Sequence, residues 1–363
     1  GVEEWLNVHE KSAVYDIAGV SIKALTMDEL FDLSGYDKDA FFAQLLEKKM
    51  DYGWIEGSPE FKTQVASLYK NMPVDNILQT NGATGATMLA LYALIEPGDH
   101  VISMYPTYQQ LYDIPKSLGA DVDLWEVEED KGWLPDLDQL RRLIRPNTKM
   151  ICINNANNPT GALMDAAYLE ELVSIAKEVD ACVFSDEVYR SFDQPAPSIV
   201  DLYDKGIAVN SLSKTYSIPG IRVGWVASNT EVADILRDYR DYTMICAGVF
   251  DDMVATLVLE NKEAILERNR QIVEENLALM DAWIAKEPKA SWIRPASVST
   301  SFVKLDVNRP IEDFALELLQ DYGVLVVPGN RFDKEFHVRI GYCCDKEVLQ
   351  KGLEKLSQFL NKC

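Results

Sequence analysis

Ser211-Leu212-Ser213-Lys214 sets an amine beside two hydroxyl-bearing residues, and Arg222 follows eight positions later. A lysine amine attacks a carbonyl carbon only after losing its proton, and a neighbouring cation favours that loss. A guanidinium also suits a phosphate, because its planar fork makes two parallel charge-assisted hydrogen bonds. Two further polar clusters have types that could join this pair: Asn157-Asn158-Pro159-Thr160-Gly161 and Asp186-Glu187-Val188-Tyr189. Together they suit a pyridine aldehyde phosphate: Lys214 condenses with the aldehyde and Asp186 pairs with the ring nitrogen. Tyr189 and Asn158 bond the ring hydroxyl, and Arg222 holds the phosphate. Asn81-Gly82-Ala83-Thr84 adds the start of a helix, where free N–H groups and partial positive charge favour an anion, and Ser211 and Ser213 add hydroxyls.

Each cluster also has a plain structural reading. Alone, Lys214 is a solvated surface lysine. Asn158-Pro159-Thr160-Gly161 has the residue order of a common turn, and Asp186-Glu187 could simply open a helix. Tyr108 and Tyr52 could be core aromatics, and Arg339 could serve a structural ion pair. His9, His100 and His337 have no metal-binding or nucleophile-pairing spacing and read as structural. Trp5, Trp54 and Trp133 could line a cleft or pack in the core.

The elements that must position these groups alternate between strand and helix patterns. Strand-like runs fall at 76–80, 100–104, 150–156, 181–187, 206–212 and 222–228, with helical patterns at 83–95 and 165–179. Near-continuous apolar strands separated by helices predict a mostly parallel sheet covered on both faces. The polar clusters sit at the carboxyl ends of its strands, where open parallel sheets bind ligands. Thr26 with Glu29 predicts a capping box, and Ser58-Pro59 predicts a helix start. A long helical pattern over 254–286 is expected to hold the hinge to a smaller α+β unit.

The chain has 363 residues, 47% of them hydrophobic, and a formal net charge of −23. That length can bury a core of two domains. The negative balance argues against nucleic-acid and anionic-membrane partners, which need clustered cations. With no run of eighteen apolar residues and an acidic opening, Gly1-Val2-Glu3-Glu4-Trp5, the expected location is cytoplasmic. The six cysteines lack C-x-x-C spacing and read as free thiols in the core, with no metal site.

Taken in order along the chain, the motifs resemble the class I/II pyridoxal-phosphate aminotransferases of fold type I. The resemblance spans about residues 50–345: Tyr52 with Gly57, Gly82-Ala83-Thr84, Pro106 with Tyr108, Asn158-Pro159 with Gly161, Asp186 with Tyr189, Ser211 with Ser213-Lys214, Arg222 and Arg339. It implies an α/β fold, with a large domain built on a mostly parallel seven-stranded sheet between helices and a smaller α+β domain. The implied boundaries are 1–40 for an N-terminal segment of the small domain, 41–255 for the large cofactor-binding domain and 256–363 for the small domain.

It further implies pyridoxal 5'-phosphate joined to Lys214 as an imine, Asp186 on the pyridinium nitrogen, Asn158 and Tyr189 on the ring oxygen, and Tyr108 stacked on the ring. Lys214, Asp186 and Tyr189 are the implied catalytic set. Gly82, Ala83, Thr84, Ser211, Ser213 and Arg222 would cradle the phosphate, reached by Tyr52 from the neighbouring subunit of a homodimer. Arg339, Gly19 and Asn158 would bind an amino acid or 2-oxo acid, with Arg339 on its carboxylate. Relatives have a proline after the glycine of their closing segment; here Gly19 stands in Tyr15-Asp16-Ile17-Ala18-Gly19-Val20-Ser21 without one.

The implied reaction is transfer of an amino group between an L-amino acid and a 2-oxo acid. The same scaffold also serves lyases, cyclases and decarboxylases, which the cofactor motifs do not separate. A non-enzymatic cofactor-binding regulator would add a basic winged-helix extension, whereas this sequence starts with acidic residues. The Tyr105-Pro106 and Asn158-Pro159 bonds are expected to be cis, as in relatives.

Overall fold

The computed structural model describes residues 1–363. The chain starts with a helix, Val2–His9, and a two-residue strand, β1 (Tyr15–Asp16). Next come β2 (Ile77–Asn81), β3 (His100–Tyr105), β4 (Asp121–Glu128), β5 (Leu134–Pro135), β6 (Thr148–Asn154), β7 (Cys182–Asp186), β8 (Gly206–Ser211) and β9 (Val223–Ala227). The last part carries β10 (Ala290–Trp292), β11 (Ser301–Leu305), β12 (Val324–Leu325), β13 (Val327–Pro328) and β14 (His337–Ile340).

The central sheet has the order β2-β9-β8-β7-β6-β3-β4-β5. It is parallel from β8 through β4, while β9 runs antiparallel to both β8 and β2. Seven strands form its body, and the two-residue β5 adds a short edge. Ile151, Ile153, Val183, Phe184, Ile207 and Val209 are fully buried, as expected of strands covered on both faces. The second sheet is antiparallel, β10-β11-β14-β13, and β1 pairs with β12. The fold class expected from the sequence is therefore the one present.

Local signals act where they were read. Thr26 and Glu29 form a reciprocal capping box, and the Ser58 hydroxyl caps the helix that opens with Pro59. The helical stretch expected over 254–286 is instead two helices, Val249–Glu260 and Lys262–Lys286, broken at Asn261, whose side-chain amide donates back to the Leu257 carbonyl at 2.8 Å. That bond turns the asparagine onto the preceding turn's backbone, which is how asparagine competes with helix continuation. The Tyr105-Pro106 and Asn158-Pro159 bonds are cis, as expected, and so is Asn155-Ala156. All six cysteines are free; Cys152 and Cys343 are buried, but Cys363 is exposed at the chain end, outside the core in which all were expected. Trp5 and Trp133 are core residues, while Trp54 is exposed. No helix is long and apolar enough to cross a membrane.

Candidate active site

The carboxyl ends of β2, β6, β7 and β8 lie along one edge of the sheet. Because β9 runs the other way, its amino end arrives at that same edge and brings Arg222 with it. Here they surround a cavity of about 540 Å3. Ala83, Thr84, Tyr108, Asn158, Asp186, Tyr189, Ser211, Ser213, Lys214 and Arg222 all line it. Gly19 and Arg339 reach it from the other side, the first from the segment after β1 and the second from β14. Sequence-distant groups are thus brought together as the motif order implied. Tyr52 is the exception: it is 77% exposed and lies on a different surface of the chain, outside this cavity.

One end of the cavity is built for an anion. The helix Gly82–Leu94 begins at β2 with no side-chain cap, so its first N–H groups have no partner from Asn81. Arg222, with φ of 53°, points its guanidinium at this turn and donates to Ser213 Oγ at 3.4 Å and to the Pro219 carbonyl at 3.1 Å. Gly82 has φ of 68°, and a Cβ there would come within 2.6 Å of Arg222 Nη2. Gly224 abuts the Gly82 carbonyl carbon and the Ala83 nitrogen just as closely. Gly82 is needed for its positive φ, and Gly224 because the wall it faces is backbone.

At the other end, Asp186 is buried and accepts from the Val188 N–H at 3.2 Å. Burial raises its carboxyl to about 6, against opposing contributions from that hydrogen bond and from Lys214. Lys214 is brought down to about 8, first by burial, then by Arg339. A lysine at that value is neutral often enough to attack a carbonyl near neutral pH. Burial also raises the Tyr189 hydroxyl, and burial followed by the charge of Glu3 takes Tyr108 to about 12, so both phenols stay protonated donors. Asn154 supports this floor by accepting from the Asn158 N–H at 2.7 Å and donating to the Asp186 carbonyl at 3.1 Å.

Arg339 is buried, and its Nε has no hydrogen-bond partner. Its two terminal nitrogens donate to Asn158 Oδ1 at 3.2 Å and to the Ala18 carbonyl at 2.8 Å. The Ala18-Gly19-Val20 segment is held by strand-like contacts at its flanks: the Ile17 N–H donates to Leu325, and the Ile22 N–H to the Lys214 carbonyl. A Cβ on Gly19 would meet nothing within 4 Å, so this glycine faces open cavity.

Several lining residues carried no sequence signal. Asn154 precedes a recognised motif, but nothing in its spacing set it apart. Glu3, Leu6 and Asn7 come from the Val2–His9 helix, about two hundred residues from Lys214 in the chain. Their i, i+3, i+4 spacing marks one helix face and does not tell what that face looks at.

The family model for aminotransferase class I and II matches residues 38–356. A PLP-dependent aminotransferase from Streptococcus suis is similar in structure, with a TM-score of 0.98 and 69% identity, covering 99% of this chain and 97% of that one. The aspartate aminotransferase of Thermotoga maritima is 30% identical over 80% of this chain and 77% of its own length. A PLP-dependent cyclase, OrfR, is 25% identical with a TM-score of 0.91, covering 99% of this chain and 96% of that one.

Proposed function

We propose, from the premise that the chain belongs to the class I and II aminotransferases and so transfers amino groups with pyridoxal 5'-phosphate, that Lys214, Asp186 and Arg339 are the working centre of a site shared between two subunits. The observation that carries this reading is the convergence of an amine brought down to about 8, a buried carboxylate and an uncapped helix start facing Arg222 on one cavity. Those residues fit the cofactor: the uncapped N–H groups of the Gly82–Leu94 helix, Ser211, Ser213 and Arg222 would hold its phosphate, Asp186 its ring nitrogen, Asn158 and Tyr189 its ring oxygen, and Tyr108 a ring face. When bound, it supplies an electron-withdrawing ring conjugated to the substrate's Cα.

The chain's own groups do the rest. Lys214 Nζ, as a neutral amine lining the cavity, would take a proton from the substrate Cα and return it. Arg339 would hold the substrate α-carboxylate with its guanidinium fork and so fix the orientation of Cα towards Lys214. Gly19, without a side chain, leaves room for the substrate on that side. Asp186, paired with a cation, is held ionised, which offsets the cost of burying it alone.

A dimer is supported by an apolar face around Tyr52. Tyr52, Trp54, Ile55, Tyr242, Ile245 and Phe250 are all exposed, and the Ala247 N–H donates to the Trp54 carbonyl, so the two segments adjoin. Exposed apolar clusters of this kind mark interaction surfaces. In the proposed homodimer this face is covered and Tyr52 reaches the neighbouring subunit's phosphate end. We place residues 1–40 with 256–363 in a small domain and 41–255 in the large one, supported by the β1–β12 pairing, and we assign the protein to the cytoplasm.

The test is a single turnover without acceptor. An accepted amino acid should leave as its 2-oxo acid while the cofactor takes up the amino group, and a second 2-oxo acid should reverse the change. Release of ammonia, carbon dioxide or a cyclised product with the cofactor unchanged would establish the lyase or cyclase alternative; the PLP-dependent cyclase among the similar structures is only 25% identical, against 69% for the aminotransferase from Streptococcus suis.

A further inference from the structure

We propose, resting on the aminotransferase reading above, that Glu3 determines donor specificity and that the amino donor carries a cationic side chain, an amine or a guanidinium. The charged groups lining the cavity are Lys214, Arg222 and Arg339 against Asp186 and Glu3. The cofactor and the substrate α-carboxylate engage the first four. Glu3 is the one charge left over, and it lines the same cavity from the Val2–His9 helix.

Its position is set by the fold. The Val2–His9 helix buries Val2 and Trp5 on one face, and the Trp5 indole N–H donates to the Val326 carbonyl at 2.9 Å. The other face, Glu3, Leu6 and Asn7, is thereby turned into the cavity. Glu3 Oε1 accepts from the Tyr108 hydroxyl at 3.3 Å and makes no ion pair in the chain. The adjacent Glu4 is already committed to Arg331 at 3.1 Å. Glu3 is therefore an ionic partner in waiting, oriented by the same tyrosine that faces the cofactor ring. Leu6 and Asn7 beside it suit the aliphatic stem and polar head of such a side chain. A dicarboxylate donor would instead bring its second carboxylate towards Glu3, and this chain's own share of the lining has no unassigned cation to receive it.

The experiment uses the cofactor-loaded enzyme with L-lysine, L-ornithine, L-arginine, L-norleucine and L-glutamate, in wild type and Glu3→Gln. Two quantities are read: amino-acid affinity from the change in cofactor absorbance on binding, and kcat with KM for transfer. The wild type should take at least one cationic donor in preference to norleucine and glutamate. In Glu3→Gln the ratio of that donor's KM to norleucine's should rise about tenfold with kcat little changed, and Glu3→Asp should keep part of the preference. The comparison of lysine, ornithine and arginine assigns amine or guanidinium. If cationic amino acids bind wild type and Glu3→Gln equally, or if glutamate is the preferred donor, the assignment of Glu3 is overturned. If no amino group moves but a cationic amino acid still binds more weakly to Glu3→Gln, the reaction type fails and Glu3 stands.

Discussion

The Arg339 guanidinium donates to the Asn158 amide oxygen at 3.2 Å, tying β14 of the antiparallel sheet to the loop that follows β6 of the central one. The same side chain reaches the Ala18 carbonyl, so a carboxylate arriving here meets a guanidinium already oriented on two sides. Arg339→Lys keeps the charge and loses the fork. Its KM should rise about 100-fold for both amino acid and 2-oxo acid, equivalent to about 2.8 kcal/mol, with a smaller effect on kcat. Steady-state kinetics in both directions check this; a rise confined to one of the two substrates would remove Arg339 from the α-carboxylate.

Lys214 should load the cofactor with a pH dependence unlike that of a free lysine. Its folded value of about 8, against an ordinary 10.5, makes the neutral amine available as pH rises through about 8. The rate at which cofactor-free protein develops the absorbance of bound cofactor should follow that rise. A midpoint near the ordinary lysine value would show a solvated amine, and peptide mapping after borohydride should find the label on Lys214 alone.

Glu187 offers a stability test independent of activity. Burial pushes its carboxyl up to about 8 from an ordinary 4.5, although Ser198 and the Ile199 N–H donate to it. Between those two values the folded chain binds more protons than the unfolded one, so stability falls as pH rises through that window. Thermal melts of wild type and Glu187→Gln at about pH 5 and pH 8 should show the wild type losing ground to the variant at the higher pH. Parallel melting curves would mean that Glu187 is ionised throughout.

Tyr52 is exposed on its own chain, and its role is tested across subunits. Mixing Tyr52→Ala with Lys214→Ala protein should form hybrids in which one site carries both lesions and the other carries neither. Cofactor affinity at the intact site should return to the wild-type value, whereas Tyr52→Ala alone should bind the cofactor about tenfold more weakly, as for one lost hydrogen bond to a charged group. A fully active monomer in sedimentation at nanomolar concentration would refute the shared site.

Gly224→Ala should damage the phosphate end without touching any polar side chain. The added methyl overlaps the Gly82 carbonyl carbon and the Ala83 nitrogen, both backbone, so the helix start must move. Overpacking of this kind costs about 1 to 3 kcal/mol. A lowered Tm together with weaker binding of pyridoxal phosphate, but less change for pyridoxal without the phosphate, would locate the effect at the anion cradle.

The sequence by itself determined the parts of this protein that depend on neighbours in the chain. Strand and helix periods placed six of the eight strands of the central sheet to within a residue or two but gave no reading of β4 or β5, Thr26-Glu29 and Ser58-Pro59 marked helix starts, and Asp186, Ser213-Lys214 and Asn158 stood out because each lies at or just after the end of a strand-like run. What only the tertiary structure decided are the placements made by contacts between distant segments. The reversed direction of β9 delivers Arg222 to the turn at Gly82, and a buried Trp5 turns Glu3, Leu6 and Asn7 into the cavity. No local pattern encodes either, because an amphipathic helix states which face is apolar, while the wall that its polar face looks onto is supplied by strands far along the chain.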